Sequence, residues 1–242
     1  MCTVSFIPLP KGFILTSSRD EMLTRKTVPP AFYNHNGKFL IYPRDIKGGG
    51  TWFAADQSGK IACLLNGAFR EHTRKDKYRK SRGLILLESF EYDSFNDFYW
   101  SVDLKDIEPF TLLSINYSDQ HELYELIWDG DTKYFIGRDI QQARIWSSST
   151  LYNPLIQTAR RKWFNSWLMD HKDDPEKSIK EFHTSRHGNT EQNDILMKRI
   201  GGLQTISITQ FKNDGNVGRF YYKDLEDNEE FIKIIQYEQH MV

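Results

Sequence analysis

The chain has 242 residues, 39% hydrophobic and 27% charged, and its formal net charge is −1. This composition is that of a folded globular protein and excludes disorder, a coiled coil and any global attraction to nucleic acid or anionic membrane. Two cysteines, Cys2 and Cys63, exclude a disulfide scaffold and suit a reducing compartment.

The opening residues are apolar, but Pro8, Pro10 and Lys11 interrupt them and no basic segment precedes them. Neither a signal peptide nor a bilayer-spanning run is expected, so a cytoplasmic protein is. Thr3 to Ile7 reads as a strand, residues 8–12 as a turn and Phe13 to Ser17 as the returning strand of a hairpin. A polar loop containing Pro29 and Pro30 is expected next, then a short strand from Lys38 to Tyr42. Gly48, Gly49 and Gly50 break the chain ahead of Thr51 to Ala54. Turn chemistry at Asp56 to Gly59 leads into a strand from Lys60 to Leu65, which ends at Asn66-Gly67.

Two helices are predicted at Ser81 to Phe90 and Ser94 to Trp100. Strands follow at Phe110 to Asn116, Glu122 to Trp128, Lys133 to Gly137 and Ala143 to Ser147, with Asp129-Gly130-Asp131 as a hairpin turn. Asn153 and Pro154 have the chemistry of an N-cap and first helical residue. Leu155, Ile156, Ala159, Trp163, Trp167 and Leu168 then mark the expected buried face. A short helix from Glu176 to His183, a loop to Asn193 and strands at Gln204 to Gln210, Val217 to Tyr222 and Phe231 to Tyr237 complete the reading. No repeat or linker divides the chain, so one domain over 1–242 is expected. Strands, helices, strands, helices and strands in that order fit an α+β four-layer α-β-β-α sandwich rather than alternating βαβ units, with a plain two-layer α+β domain as the alternative.

Cys2 follows the initiator Met, and removal of Met1 would put a thiol and a free α-amine on one residue. The amine titrates near ~7.7–8 and the thiol near ~8.5, so the amine can take the thiol proton and no histidine is needed. Ser18-Arg19-Asp20-Glu21 ends the returning strand and would come back beside Cys2. Asp20 can accept a hydrogen bond from the α-ammonium, Arg19 can lower the thiol pKa, and Glu21 either orients Arg19 or faces solvent. Asn66 is the candidate oxyanion donor.

Cys2-Thr3, Arg19-Asp20-Glu21, Gly49-Gly50-Thr51-Trp52 and the strand ending in Asn66 resemble the NRDE family, also called the transport and Golgi organisation family. The resemblance extends more weakly through Trp146 to Ser149 and Thr205 to Gln210. That family is similar to the choloylglycine hydrolase and penicillin V acylase group of N-terminal-nucleophile enzymes. The resemblance implies their α-β-β-α fold, with Cys2 as nucleophile, Arg19 and Asp20 as its partners and Asn66 as oxyanion donor. Trp52 and Ser148 are assigned to substrate binding. The chain departs from the family pattern at Ser18, at Ser148 in place of an expected Asn, and at Leu203-Gln204-Thr205.

The expected function is hydrolysis of an amide or thioester of a small acylated molecule. The alternative is a non-catalytic haem or acyl-lipid binding protein involved in trafficking. No resident cofactor is expected, with haem as ligand only in the second case. His183 and His187 lack a third partner for a metal site. The basic stretch from Arg70 to Arg82 is read as a solvated loop or as an electropositive rim for an anionic substrate.

Overall fold

The computed structural model describes residues 3–117, 121–171, 173–215 and 217–237. The chain begins with strands β1 (Thr3–Leu9) and β2 (Gly12–Met22), joined by a tight turn at Pro10-Lys11. Glycine is required after that turn. Gly12 has φ +117°, and a Cβ there would sit 2.1 Å from the Asn213 carbonyl oxygen.

Four more strands follow: β3 (Thr27–His35), β4 (Lys38–Asp45), β5 (Phe53–Asp56) and β6 (Lys60–Asn66). The predicted Pro29-Pro30 loop is therefore a strand. β3 lies at the edge of its sheet with a register shift between Val28 and Ala31, and an edge with a bulge is where a strand tolerates proline. Helices α1 (Arg82–Glu88) and α2 (Phe95–Ser101) lead to strands β7 (Phe110–Asn116), β8 (Glu122–Trp128), β9 (Lys133–Arg138) and β10 (Arg144–Ser147). Helices α3 (Pro154–Asp170) and α4 (Pro175–Thr184) precede β11 (Leu203–Asn213), β12 (Val217–Asp224) and β13 (Glu230–Gln236).

The strands form two antiparallel sheets, ordered β10-β1-β2-β11-β12-β13 and β3-β4-β5-β6-β7-β8-β9. Val4, Phe6, Phe13 and Leu15 of the first sheet meet Ile41, Phe53, Ile61 and Cys63 of the second in a shared core. On the outer face of the first sheet, Ile7 and Ile14 pack against Phe164, Trp167, Ile179 and Phe182 of α3 and α4. On the outer face of the second, Leu40, Ala54 and Leu64 pack against α1 and α2. The architecture is thus the α-β-β-α sandwich expected from the sequence. It explains why β1 and β2 are buried on both faces, each face having a layer to cover it. Among the described residues no helix is long and apolar enough to cross a membrane.

Asn153 caps α3 through a 3.0 Å bond from the Ile156 amide, as predicted. Its buried face differs from the predicted one. Arg160, Phe164 and Trp167 are buried, while Leu155 is 80% exposed. Leu155 lies in the first turn of the helix, and apolar periodicity passes over a buried arginine.

Candidate active site

β2 carries the site, and its pairing places it. Thr3 pairs with Ser18 on one side and Ser147 on the other, and Asp20 pairs with Thr205 of β11. The register between β2 and β11 shifts between Thr205 and Ser207, immediately beside Asp20 and Arg19. Such bulges commonly re-aim side chains near functional sites.

Arg19 and Asp20 are adjacent in a strand and therefore point to opposite faces of the sheet. The structure does not gather them into one charged cluster. Arg19 enters the space between the sheets, 2% exposed, with its guanidinium 4.3 Å above the Trp52 ring. It donates to Thr27 Oγ1 and, at 3.2 Å, to Asp45 Oδ2. Burial draws the guanidinium pKa down against the opposing charges of Asp45 and Glu21. Burial also works to raise the Asp45 carboxyl. The Arg25 side chain, the Gly48 amide and the charges of Arg25 and Arg19 outweigh it and hold that carboxyl below the usual range. Glu21 pairs at 2.9 Å with Arg25, so it acts on Arg19 only at a distance.

Asp20 faces the helical layer. Tyr152 donates its hydroxyl to Oδ2 at 2.6 Å, and Thr205 donates to Oδ1 at 2.6 Å. The face of Tyr152 carries the Arg160 guanidinium at 3.4 Å. Arg160 is fully buried and donates to Thr3 Oγ1 and to the carbonyls of Asn193 and Asp194. Sequence reasoning missed Tyr152 and Arg160, since only the three-dimensional pairing of remote segments brings Tyr152 to Asp20 and Arg160 to Thr3.

On the same face as Asp20, Ser5 and Ser18 hydroxyls lie 2.7 and 2.8 Å from the two ring nitrogens of His183. Burial pushes the pKa of this imidazole down to about 3, aided by His187 and Arg160, so the ring is neutral. His187 is turned to the Phe182 carbonyl, and the two histidines share no ligand geometry.

Asn66 ends β6. Its carbonyl accepts from Ser148 Oγ at 2.7 Å, and the next residue, Gly67, has φ +82°. A Cβ at Gly67 would lie 2.3 Å from Ser149 Oγ, so glycine lets the 147–150 segment close over the end of β6. Among the described residues the Asn66 side-chain amide has no hydrogen-bond partner. It lines two clefts. The larger, about 540 Å³, also contains Arg19, Asp45 and Trp52. The smaller, about 340 Å³, is bounded by Phe69, Ile127, Ile136, Trp146 and Ser148.

Ser148 is buried, and its hydroxyl lies 2.8 Å from Thr150 Oγ1 besides reaching Asn66, so it braces Asn66. Trp52 lines the larger cleft. It is 3% exposed, and its Nε1 donates to Thr209 at 3.3 Å. Cys2 lies outside the described residues. Cys63 is fully buried in the core between the sheets, where burial pushes its thiol up to about 12. It is no nucleophile.

The basic stretch from Arg70 to Arg82 does not form an electropositive rim. Arg82 and Arg74 lie 3.3 and 3.8 Å from Glu108, Arg79 pairs with Asp103 and Lys80 pairs with Glu88. The larger cleft is lined by the cations Arg19, Arg25, Arg74, Lys80 and Arg82 and by the anions Glu21, Asp45, Glu71, Asp76 and Glu108. It is balanced, and suits a polar group better than a bare anion.

Residues 1–194 match the model of a family described as Transport and Golgi organisation 2. Uncharacterized protein YGR127W of Saccharomyces cerevisiae is 37% identical over 79 residues, which are 30% of this chain and 24% of that protein. The alignment thus spans about a quarter of the length of the curated relative it matches. The fold is similar to that of the Caenorhabditis elegans orthologue of N-acylethanolamine-hydrolyzing acid amidase. That likeness has a TM-score of 0.61 at 12% identity and covers 96% of this chain and 100% of the other. A variant of conjugated bile acid hydrolase from Clostridium perfringens gives a TM-score of 0.58 at 9% identity, covering 100% and 98%. Penicillin V acylase from Agrobacterium tumefaciens gives 0.56 at 8%, covering 96% and 85%. These likenesses establish the fold as that of the N-terminal-nucleophile hydrolases.

Proposed function

The chain belongs to the Transport and Golgi organisation 2 family, and from that membership and its fold we propose that it is a cysteine N-terminal-nucleophile hydrolase. Loss of Met1 frees the Cys2 α-amine. The amine takes the thiol proton, and the sulfur adds to an amide or thioester carbonyl of a small acylated molecule. The oxyanion formed is held by the Asn66 side-chain amide. Collapse expels the amine or thiol, which leaves with the proton. Water then cleaves the acyl-enzyme to the acid and restores the thiol.

One observation supports this reading: among the described residues the Asn66 side-chain amide has no hydrogen-bond partner, and Asn66 lines both clefts. Cys2 is bonded to Thr3, and the strand paired with Thr3 carries Arg19 and Asp20 in the two positions after Ser18. In this proposal Asp20 accepts from the α-ammonium on one face of the sheet, and Arg19 offsets thiolate charge on the other. Cytoplasmic residence is part of the same proposal.

Intact mass and labelling test it. Met1 should be absent from the purified protein, and a carbonyl electrophile should add once, at Cys2. Retained Met1 in active protein refutes the reading, because the amine would be an amide.

A carrier of haem or acyl lipid is the second reading, favoured by the use of the Ser148 hydroxyl to brace Asn66. With that hydroxyl engaged, a second oxyanion donor is not supplied from this position. Saturable binding of haem or acyl-CoA, together with full biological activity of Cys2→Ala, would select it.

A further inference from the structure

We propose that Tyr152 and Arg160 are positioning residues that clamp Asp20 and Thr3 together from the helical layer, and so set the geometry at the residue bonded to Thr3. The inference rests on the reading of Cys2 as nucleophile and adds to it two residues that the sequence pattern did not supply.

The clamp is assembled from three segments. Tyr152 precedes α3, Arg160 lies on α3 and Thr205 comes from β11. Both carboxylate oxygens of Asp20 are occupied, Oδ2 by Tyr152 and Oδ1 by Thr205, each at 2.6 Å, which fixes the plane of the carboxylate. Tyr152 is in turn fixed. Its ring stacks under Arg160 at 3.4 Å, Arg199 stands over it at 5.5 Å, and the Arg199 guanidinium holds the Leu151 carbonyl at 2.8 Å.

Arg160 is 0% exposed and, among the described residues, bonds to no carboxylate. Its donors go to two loop carbonyls and to Thr3 Oγ1. A buried guanidinium is costly, and core packing alone would be better served by an apolar side chain. What the arginine supplies is a planar fork. One guanidinium fixes the Thr3 side chain and, through its stacking on Tyr152, the carboxylate proposed to receive the α-ammonium. Arg160 and Arg199 lie over the ring of the tyrosine that reaches this carboxylate, and Arg19 occupies the opposite face of the strand. His183, bonded to Ser18, is neutral and contributes no charge.

The test is the pH dependence of Cys2 alkylation by iodoacetamide, followed by peptide mass spectrometry on the full-length protein. In the wild type the apparent midpoint should fall below the ~8.5 of a free cysteine. Tyr152→Phe keeps the ring and its stacking, removes one hydrogen bond to the carboxylate and should fold. Arg160→Met removes the fork.

Both should raise the midpoint by about one pH unit, making alkylation near pH 7 roughly tenfold slower. A merely structural role would not do this. Phe164→Leu, on the same helix and packed away from Asp20, should lower stability and leave the midpoint in place. An unmoved midpoint in both Tyr152→Phe and Arg160→Met overturns the clamp and leaves the Cys2 reading intact. An ordinary midpoint in the wild type overturns both.

Discussion

Asp45→Asn is expected to destabilise the protein by about 3 kcal/mol at pH 7, chiefly by stranding Arg19. Asp45 Oδ2 lies 3.2 Å from Arg19 Nη2 and 2.7 Å from Arg25 Nη2, with the Arg19 side chain 3% exposed and that of Arg25 35% exposed. At an effective dielectric near ~20 each contact has a gross attraction of about 5 kcal/mol, most of it offset by desolvation. Removing one partner of a buried pair costs roughly 3–5 kcal/mol, because the other charge stays buried. The half shared with Arg25 is screened and adds at most about 1 kcal/mol.

Asparagine isolates the charge. Its Oδ1 can still accept from the Lys47 and Gly48 amides, which lie 3.0 and 3.1 Å from Asp45 Oδ1. Arg25→Met is the control and should cost about 1 kcal/mol or less. The pH dependence has a definite sign. Asp45 titrates lower in the folded protein than in the unfolded chain. Its contribution is therefore complete above the unfolded value of about 3.9 and is lost as the pH falls through the folded one. The gap between wild type and Asp45→Asn should be constant from pH 7 to 5 and narrow below 4. Urea melts followed by tryptophan fluorescence measure it, since Trp52 lies beneath Arg19. A loss below 1 kcal/mol at pH 7, or one no larger than that of Arg25→Met, refutes the reasoning.

Further expectations concern three other sites. His183 is neutral and buried, with a pKa near 3 against about 6.5 unfolded, so the unfolded chain binds the extra proton between those values. Stability should fall by about 1.4 kcal/mol per pH unit below 6.5, and His183→Gln should flatten that slope in melts at pH 7, 6 and 5. Cys63 should resist iodoacetamide at pH 8 and react only in urea, which peptide mapping would show. Gly67→Ala should displace Asn66 or the 147–150 segment, because the new Cβ would lie 2.9 Å from Thr150 Cγ2 as well as against Ser149. A loss of about 2 kcal/mol by thermal melt is expected.

The elements whose signals are local were legible in the sequence. The first hairpin, the turn at Asp129-Gly130, the Asn153 cap and the glycine after Asn66 are each specified by a few adjacent residues. β3 was not legible, because prolines there read as a breaker unless the strand is known to lie at an edge. The positions of Arg19 and Asp20 on β2 were foreseeable, but their opposite faces follow from a period of two that the charged run obscures. Tyr152, Arg160 and Thr205 stayed out of sight for a different reason. Tyr152 and Thr205 meet Asp20, and Arg160 meets Thr3, across more than a hundred residues of chain, and no local pattern records such contacts.

The position of the first hairpin, between β10 and β11, has a consequence for synthesis. Its two flanking strands are translated long after it, β11 ending at Asn213. At about 5–20 residues per second, β1 and β2 wait on the order of 10–40 s for their neighbours. During that interval both edges of the hairpin present unpaired backbone donors and acceptors, which the completed sheet covers.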